Sequence, residues 1–409
     1  MSSLAKKLAG HSSLQTLDGE RQSMIDKVVE ICNMNSGTLN LAGLARVQDL
    51  LANFFAPFNV NHQVVNSKVW QTIGDRGEIQ NHQLGKILHW TCRPTAPFRV
   101  LLCIHYDTVY GVDHQFQHCR WLDESTLNGP GVADAKGGII VLLHALQAFE
   151  RTELAEKIGW EVVLNPDEEI GSPGSSEFIS SCAARCHAGL LFEPSMPGGT
   201  LVSWRKGSGN FTIIVNGRSA HAGRDFAEGR NAVLAASRLA IEFDALNGQN
   251  DDVTINVGWM FGGGAVNIVP DSCVLRVNAR VRTSTQQLWV NDHFKQIVDR
   301  ANATWEGIRV EIHGDFYSPP KTLDEPTEDL QRRIERCGDL MDTTIQWQGS
   351  GGASDGNRVH AAGLPNIDSL GPIGGRIHSP DEFLLVDSLV TRAKLAALIL
   401  LSFAADQNA

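Results

Sequence analysis

Three runs along the chain, RVLLCIH (Arg99–His105), WEVVLN (Trp160–Asn165) and AGLLFE (Ala188–Glu193), are almost wholly apolar yet stop on, or just before, residues that bear charge or an imidazole. Each is too short for a core helix and lacks the in-out alternation of a strand with one wet face. They predict strands covered on both sides, the pattern of a mainly parallel sheet. Helical patterns stand between them. Ala135–Glu150 repeats its apolar residues on a 3.6 period, and Ser172–Ser181 follows the second run. Amphipathic helices over 14–33 and 38–55 and strands at Val60–Val65 and Lys86–Cys92 precede this region. The chain therefore predicts an α/β fold with helices on both faces of the sheet.

At 409 residues the chain exceeds the ~250–300 at which a single core stops growing, so two domains are expected. After the Pro194–Gly199 punctuation the rhythm changes. Strand Phe211–Asn216, helix Gly229–Leu246, strands Val253–Phe261 and Cys273–Arg282, helix Thr285–Thr304 and strand Arg309–His313 give a βαββαβ, ferredoxin-like order. Here the strands alternate: Leu275, Val277, Ala279 and Val281 share one face, with Arg276, Asn278 and Arg280 opposite. After Tyr317-Ser318-Pro319-Pro320 the α/β character resumes, ending in a helix near Ser388–Ala404. The expected organisation is one discontinuous domain, 1–204 with 317–409, and an inserted domain, 205–316.

A net charge of −11 without any basic run argues against a nucleic-acid partner. No stretch reads as a membrane span of ~18 apolar residues, and the N-terminal MSSLAKKLAGHSSLQ has no continuous apolar segment of a secretory leader. Eight scattered cysteines, none in a Cys-x-x-Cys pair, predict free thiols and a cytoplasmic protein.

The chemistry-bearing residues fall at the predicted strand ends and in glycine-rich loops. They are His105 and Asp107 in CIHYDTVYG, Asp134 in GPGVADAKGG, Glu168 and Glu169 in LNPDEEIGS, Glu193 in LLFEPS and His378 in GGRIHSP. Each has an ordinary structural reading when taken alone. Asp134 could cap a helix, Glu168-Glu169 could open one, and either histidine could be a surface residue. Together they form the imidazole and carboxylate set that zinc accepts. The anionic ligands outnumber what one four-coordinate ion uses, so a pair of metals sharing a carboxylate is the sharper reading. His105 and Asp107, two apart on a strand end, share a face, which lets Asp107 hold the second ring nitrogen of a metal-bound His105. Adjacent side chains point apart, so one of Glu168 and Glu169 can ligate while the other acts as a base.

These motifs resemble the metallopeptidase family of glutamate carboxypeptidase, acetylornithine deacetylase, succinyl-diaminopimelate desuccinylase and aminoacylase-1, over nearly the whole length. The resemblance implies a three-layer zinc-peptidase-like catalytic domain and an inserted lid that also dimerises. It implies two Zn2+ ions, with Co2+ or Mn2+ as substitutes, bridged by Asp134. One ion takes His105 and Glu193, the other Glu169 and His378; Glu168 is the general base and acid, and Asp107 the partner of His105. It also implies a cis Asp134–Ala135 peptide. SAHAG places His221 as a lid histidine reaching a partner subunit's site to stabilise the oxyanion, in a homodimer. Asn267, Arg280 and the Gly351-Gly352 turn beside Asp355 fall where the family contacts the substrate's carboxylate. Two features depart from the glutamate-cleaving members and from the deacylases respectively. DFYSPP lacks the basic residue the former use for a side-chain carboxylate, though Lys321 follows closely, and Glu193 stands where several deacylating members carry Asp. The implied activity is hydrolysis of an amide or peptide bond in a small acyl-amino acid or short peptide that carries a carboxylate. The alternatives are a zinc aminopeptidase acting on dipeptides, or a non-catalytic binding protein of the same fold.

Overall fold

The computed structural model describes residues 11–407. The first ten residues, part of the stretch read for a leader, and the last two lie outside the described residues. In chain order the strands that matter here are β1 (Asn61–Asn66), β2 (Lys86–Cys92), β3 (Arg99–His105), β4 (Gly159–Asn165), β5 (Ala188–Leu191), β6 (Gly207–Asn216), β7 (Thr254–Gly262), β8 (Ser272–Val281), β9 (Arg309–Ser318) and β10 (Asn366–Ile367). The central sheet has the order β1-β2-β4-β3-β5-β10. β4, β3, β5 and β10 run parallel, and β1 and β2 are antiparallel additions at one edge.

Alternation along the strands builds two apolar layers, one on each face. Leu88, Val100, Leu102, Ile104, Val162, Leu164 and Leu190 join the larger core with helices Arg21–Cys32, Lys136–Glu150 and Asp387–Asp406. Their neighbours Ile87, Leu101, Cys103, Val163 and Leu191 face the other way, against helices Ser176–Ala183 and Asp355–Ala361. This is the three-layer α/β arrangement that the apolar runs predict.

β6 to β9 form a separate four-stranded antiparallel sheet in the order β7-β8-β6-β9, with helices Ala232–Asp244 and Ser284–Thr304 packed on one face around their own core. Where the chain leaves for this sheet and where it returns lie side by side. Arg205 and Lys321 exchange backbone hydrogen bonds of 3.0 and 3.1 Å.

Some sequence readings need correction. The helix expected over 14–33 is two, Ser12–Gly19 and Arg21–Cys32, broken at Glu20, whose carboxylate holds His144 and Arg151 of the core helix region. β5 stops at Leu191, leaving Glu193 in the loop beyond. Helix Asp387–Asp406 is long and apolar enough to cross a membrane, but 83% of its most apolar window is buried inside the protein, so its hydropathy reflects a core helix. The hairpin Trp70–Ile73/Ile79–His82 was not anticipated. It reaches the inserted sheet, where Arg276 bonds Asp75 at 2.7 Å and the Ile73 carbonyl at 3.2 Å. The cysteines are free thiols, most of them buried.

Candidate active site

Parallel strands end where a site can form, because their C-terminal ends open into loops on one edge of the sheet. His105 is the last residue of β3. Glu168 and Glu169 form a short turn just past β4, and Glu193 lies two residues past β5. Asp134 opens the core helix that starts at Lys136, and His378 sits in the loop before the short strand Phe383–Leu385.

The structure brings five of these side chains into two groups that share Asp134. His105, Asp134 and Glu193 form one, and Asp134, Glu169 and His378 the other; within each, the potential ligand atoms lie within 4.8 Å of one another. Asp134 directs one oxygen to each imidazole: Oδ1 is 3.2 Å from His105 Nε2, and Oδ2 is 3.1 Å from His378 Nε2. Glu193 Oε2 lies 3.7 Å from His105 Nε2 and Glu169 Oε2 lies 3.2 Å from His378 Nε2. The Asp134–Ala135 peptide is cis.

The surrounding hydrogen bonds fix these positions. Asp107 is fully buried. It accepts the backbone N–H of Glu168 (3.2 Å) and of Glu169 (3.3 Å) and the Thr38 hydroxyl (2.7 Å). His105 Nδ1 is within reach of both Asp107 Oδ1 (3.2 Å) and the Asp107 carbonyl (3.1 Å), which leaves Nε2 to face Asp134. Glu382, buried and not singled out in the sequence, accepts the N–H groups of Ala133 (3.0 Å) and Asp134 (3.1 Å) and the Tyr110 hydroxyl (2.9 Å). It ties the loop of Asp134 to the loop of His378. Glu382 lies four residues past His378, and that proximity was the available signal.

The electrostatics are those of a cation site. Among the described residues no lysine or arginine pairs with Asp134, Glu169 or Glu193; their ion-pair partners are His105 and His378. Burial, then the charge of Asp134, pushes Glu169 up to about 8. Burial and Glu193 hold Glu168 well above the usual carboxyl range. Burial also raises Glu193. Burial opposes a charge on Asp134 too, but the bonds from His105 and His378 outweigh it and keep that carboxyl below its usual range. Bonds to Asp134 and Glu169 push His378 up to about 11. Burial disfavours a charged His105, yet Glu193 and the bonds to Asp107 and Asp134 raise it well above an ordinary imidazole. Two imidazoles and a surplus of buried carboxylates at this spacing fit divalent cations, zinc among them.

The remaining sequence candidates lie apart from this cluster. His221 is exposed and sits against the Ala265–Ile268 turn, where Ala222 N–H donates to the Asn267 carbonyl at 2.9 Å. Arg280 lies on the polar face of the inserted sheet and donates to Asn278 at 3.0 Å. Gly351 and Gly352 are exposed, and the Gly352 carbonyl accepts from Arg205 at 3.3 Å. Among the described residues none of His221, Asn267, Arg280, Gly351 and Gly352 is hydrogen-bonded to the two triads. Asp355 is buried and bonded to Asn165 and Ser172. Lys321 is fully buried and held by Asp368 at 3.0 Å, so it is not placed to receive a substrate's side-chain carboxylate. Arg205 shares Asp368 at 2.9 Å, and its field reaches Glu193 and Glu168. This buried cation beside the acids went unnoticed in the sequence because its partners lie more than 100 positions away.

A three-layer fold whose strand ends gather two histidine-carboxylate triads around one aspartate defines a candidate metal centre, and the family in which it stands makes the protein a metal-dependent hydrolase of amide bonds. The chain belongs to Peptidase family M20/M25/M40, whose model matches residues 101–402. Over 96% of its length it is 25% identical to carboxypeptidase G2 of Pseudomonas sp. (strain RS-16), covering 92% of that protein. Over 81% of its length it is 25% identical to the succinyl-diaminopimelate desuccinylase of Hahella chejuensis, covering 89% of that one. A solved tripeptidase from Staphylococcus aureus shares the fold, with a TM-score of 0.73 and 21% identity over 94% of this chain and 99% of that one.

Proposed function

We propose that the protein hydrolyses an amide or peptide bond in a small carboxylate-bearing substrate, an N-acyl-amino acid or a short peptide, at two Zn2+ ions. His105, Asp134 and Glu193 would hold one ion and Asp134, Glu169 and His378 the other, with Co2+ or Mn2+ as substitutes. Bound there, divalent cations lower the pKa of water towards ~7 and polarise a carbonyl. Glu168, in the cleft but in neither triad, takes the proton of the attacking water and returns it to the departing amine. Asp107 fixes the tautomer of His105 and, through the backbone of Glu168 and Glu169, the turn that presents both acids. His221, Asn267, Arg280 and the Gly351-Gly352 turn are the groups proposed to meet the oxyanion and the substrate carboxylate. None of them is hydrogen-bonded to the triads in a single chain, and the homodimer reading would bring His221 from a second subunit. A cytoplasmic location remains part of the proposal.

What carries this reading is the convergence of four side chains from four separate segments on Asp134, with Glu168 left beside them and unengaged. Metal analysis of the purified protein, followed by assays on N-acyl-amino acids, dipeptides and aminoacyl amides with and without chelator, tests it. Chelator-sensitive release of an amino acid from the carboxylate-bearing substrates is the expected result. Cleavage confined to aminoacyl amides would favour the aminopeptidase alternative, and metal binding without turnover a binding protein.

A further inference from the structure

Beside the outer triad the cleft has a wall of unusual character. Leu39 and Val112 are 58% and 57% exposed, and Leu41 and Val109 are each 42% exposed. With Ile170 they line a hollow of about 600 Å³ whose wall includes Glu169, a member of the outer triad. Small-molecule sites span roughly 300–1,000 Å³, and clustered exposed aliphatic side chains mark a place where something apolar sits.

The wall is built by two loops fastened to each other. Thr108 N–H donates to the Ser36 carbonyl at 3.0 Å, Thr38 N–H to the Thr108 carbonyl at 3.3 Å, and the Asn35 amide to the Tyr110 carbonyl at 2.9 Å. The loops approach so closely at Gly37 that a Cβ there would fall 2.4 Å from the Tyr110 carbonyl oxygen. Its charge is equally telling. Among the described residues no lysine or arginine lines the hollow; its titratable members are Asp113, His114 and Glu169, and in the proposed site Glu169 is taken up as a metal ligand. A carboxylate placed there would meet the aliphatic wall and Asp113 with no lysine or arginine to pair with it.

The geometry points to an uncharged aliphatic acyl group as the occupant: the substrate is an N-acyl-amino acid whose acyl chain lies against Leu39, Val109 and Val112, and a succinyl-type acyl group is disfavoured. This rests on the amide-hydrolase reading and narrows its substrate. The test compares kcat/KM of the Zn2+-loaded protein on N-acetyl, N-butanoyl, N-hexanoyl and N-succinyl derivatives of one amino acid. Each methylene is expected to raise kcat/KM by about four-fold, and the succinyl compound should fall below the butanoyl. Val112→Lys, at an exposed position where folding is not at stake, should lower hexanoyl turnover and improve the succinyl compound relative to it. A flat series, or a preference for succinyl in the unaltered protein, overturns the inference. Calorimetric binding of the same compounds to Glu168→Ala gives a readout apart from turnover. Affinity should tighten by a similar factor per methylene, with a more negative heat-capacity change; equal affinities contradict the proposal. Binding that tightens with chain length while the wild type cleaves nothing would sink the hydrolase reading alone. Cleavage and binding indifferent to chain length would sink only the acyl hollow.

Discussion

The two triads use the same chemistry but are supported differently. The inner one rests on the sheet: His105 closes a core strand, its side chain is fully buried, Asp107 follows two residues past that strand, and Glu193 lies two residues past the neighbouring strand β5. The outer one depends on a loop. The His378 side chain is 54% exposed, and its backbone sits at φ 60°, a left-handed conformation that a non-glycine residue adopts only when its surroundings impose it. Here the surroundings are Glu382 and Tyr110, whose hydroxyl also donates to the Ser379 carbonyl at 2.9 Å. The contrast teaches that a shared carboxylate can join a position fixed by the core to one held by a few polar contacts. The inner cation should therefore exchange slowly and the outer one readily.

The largest test removes the shared member. Asp134→Ala should leave neither cation bound, with activity below detection; metal analysis that still finds one ion per chain would show the triads to be independent. Glu168→Ala is expected to keep the metal content and lose roughly 10²–10⁴ in kcat, the usual weight of a positioned acid-base group. Unchanged turnover in that variant would remove Glu168 from the chemistry. Asp107→Asn probes the inner triad through its support, and a loss of about 10–100-fold in metal affinity is expected.

The smallest effect is one of pH. Metal ligands bind deprotonated, whereas in the metal-free protein Glu169 is raised to about 8 and His378 to about 11. Filling the outer triad at pH 7 must release protons, ~2 per cation, and the apparent affinity must rise with pH as those protons are lost. Proton uptake, or affinity falling between pH 6 and 8, would contradict the assignment of both residues as ligands.

The inner triad was the more legible of the two for the same reason that it is the more rigid. Apolar runs announce buried parallel strands, and parallel strands place their final residues on one edge, so His105 and Glu193 could be set on that edge from pattern, while their grouping came from the resemblance. His378 could be placed only through the resemblance of its motif, because no periodicity links a loop near the C-terminus to Asp134. Beyond Asp107, the supports of the site were hardly legible. Glu382 bonds backbone N–H groups about 250 positions earlier, and Lys321, weighed as a substrate contact, proves to be a core cation paired with Asp368. Such pairs are chosen by the folded path of the chain and leave no local trace. The hairpin Trp70–His82 is largely polar and exposed, so no apolar run marked it, and Gly74-Asp75-Arg76-Gly77 was its one local signal.

The most direct measurement is a calorimetric Zn2+ titration of chelator-stripped protein, run on the wild type and on His378→Ala. Two ions per chain are predicted for the wild type and one for the variant, the retained ion being the one slower to leave under chelator. A single site in the wild type, or loss of both ions on removing His378 alone, would contradict two unequal positions joined through Asp134.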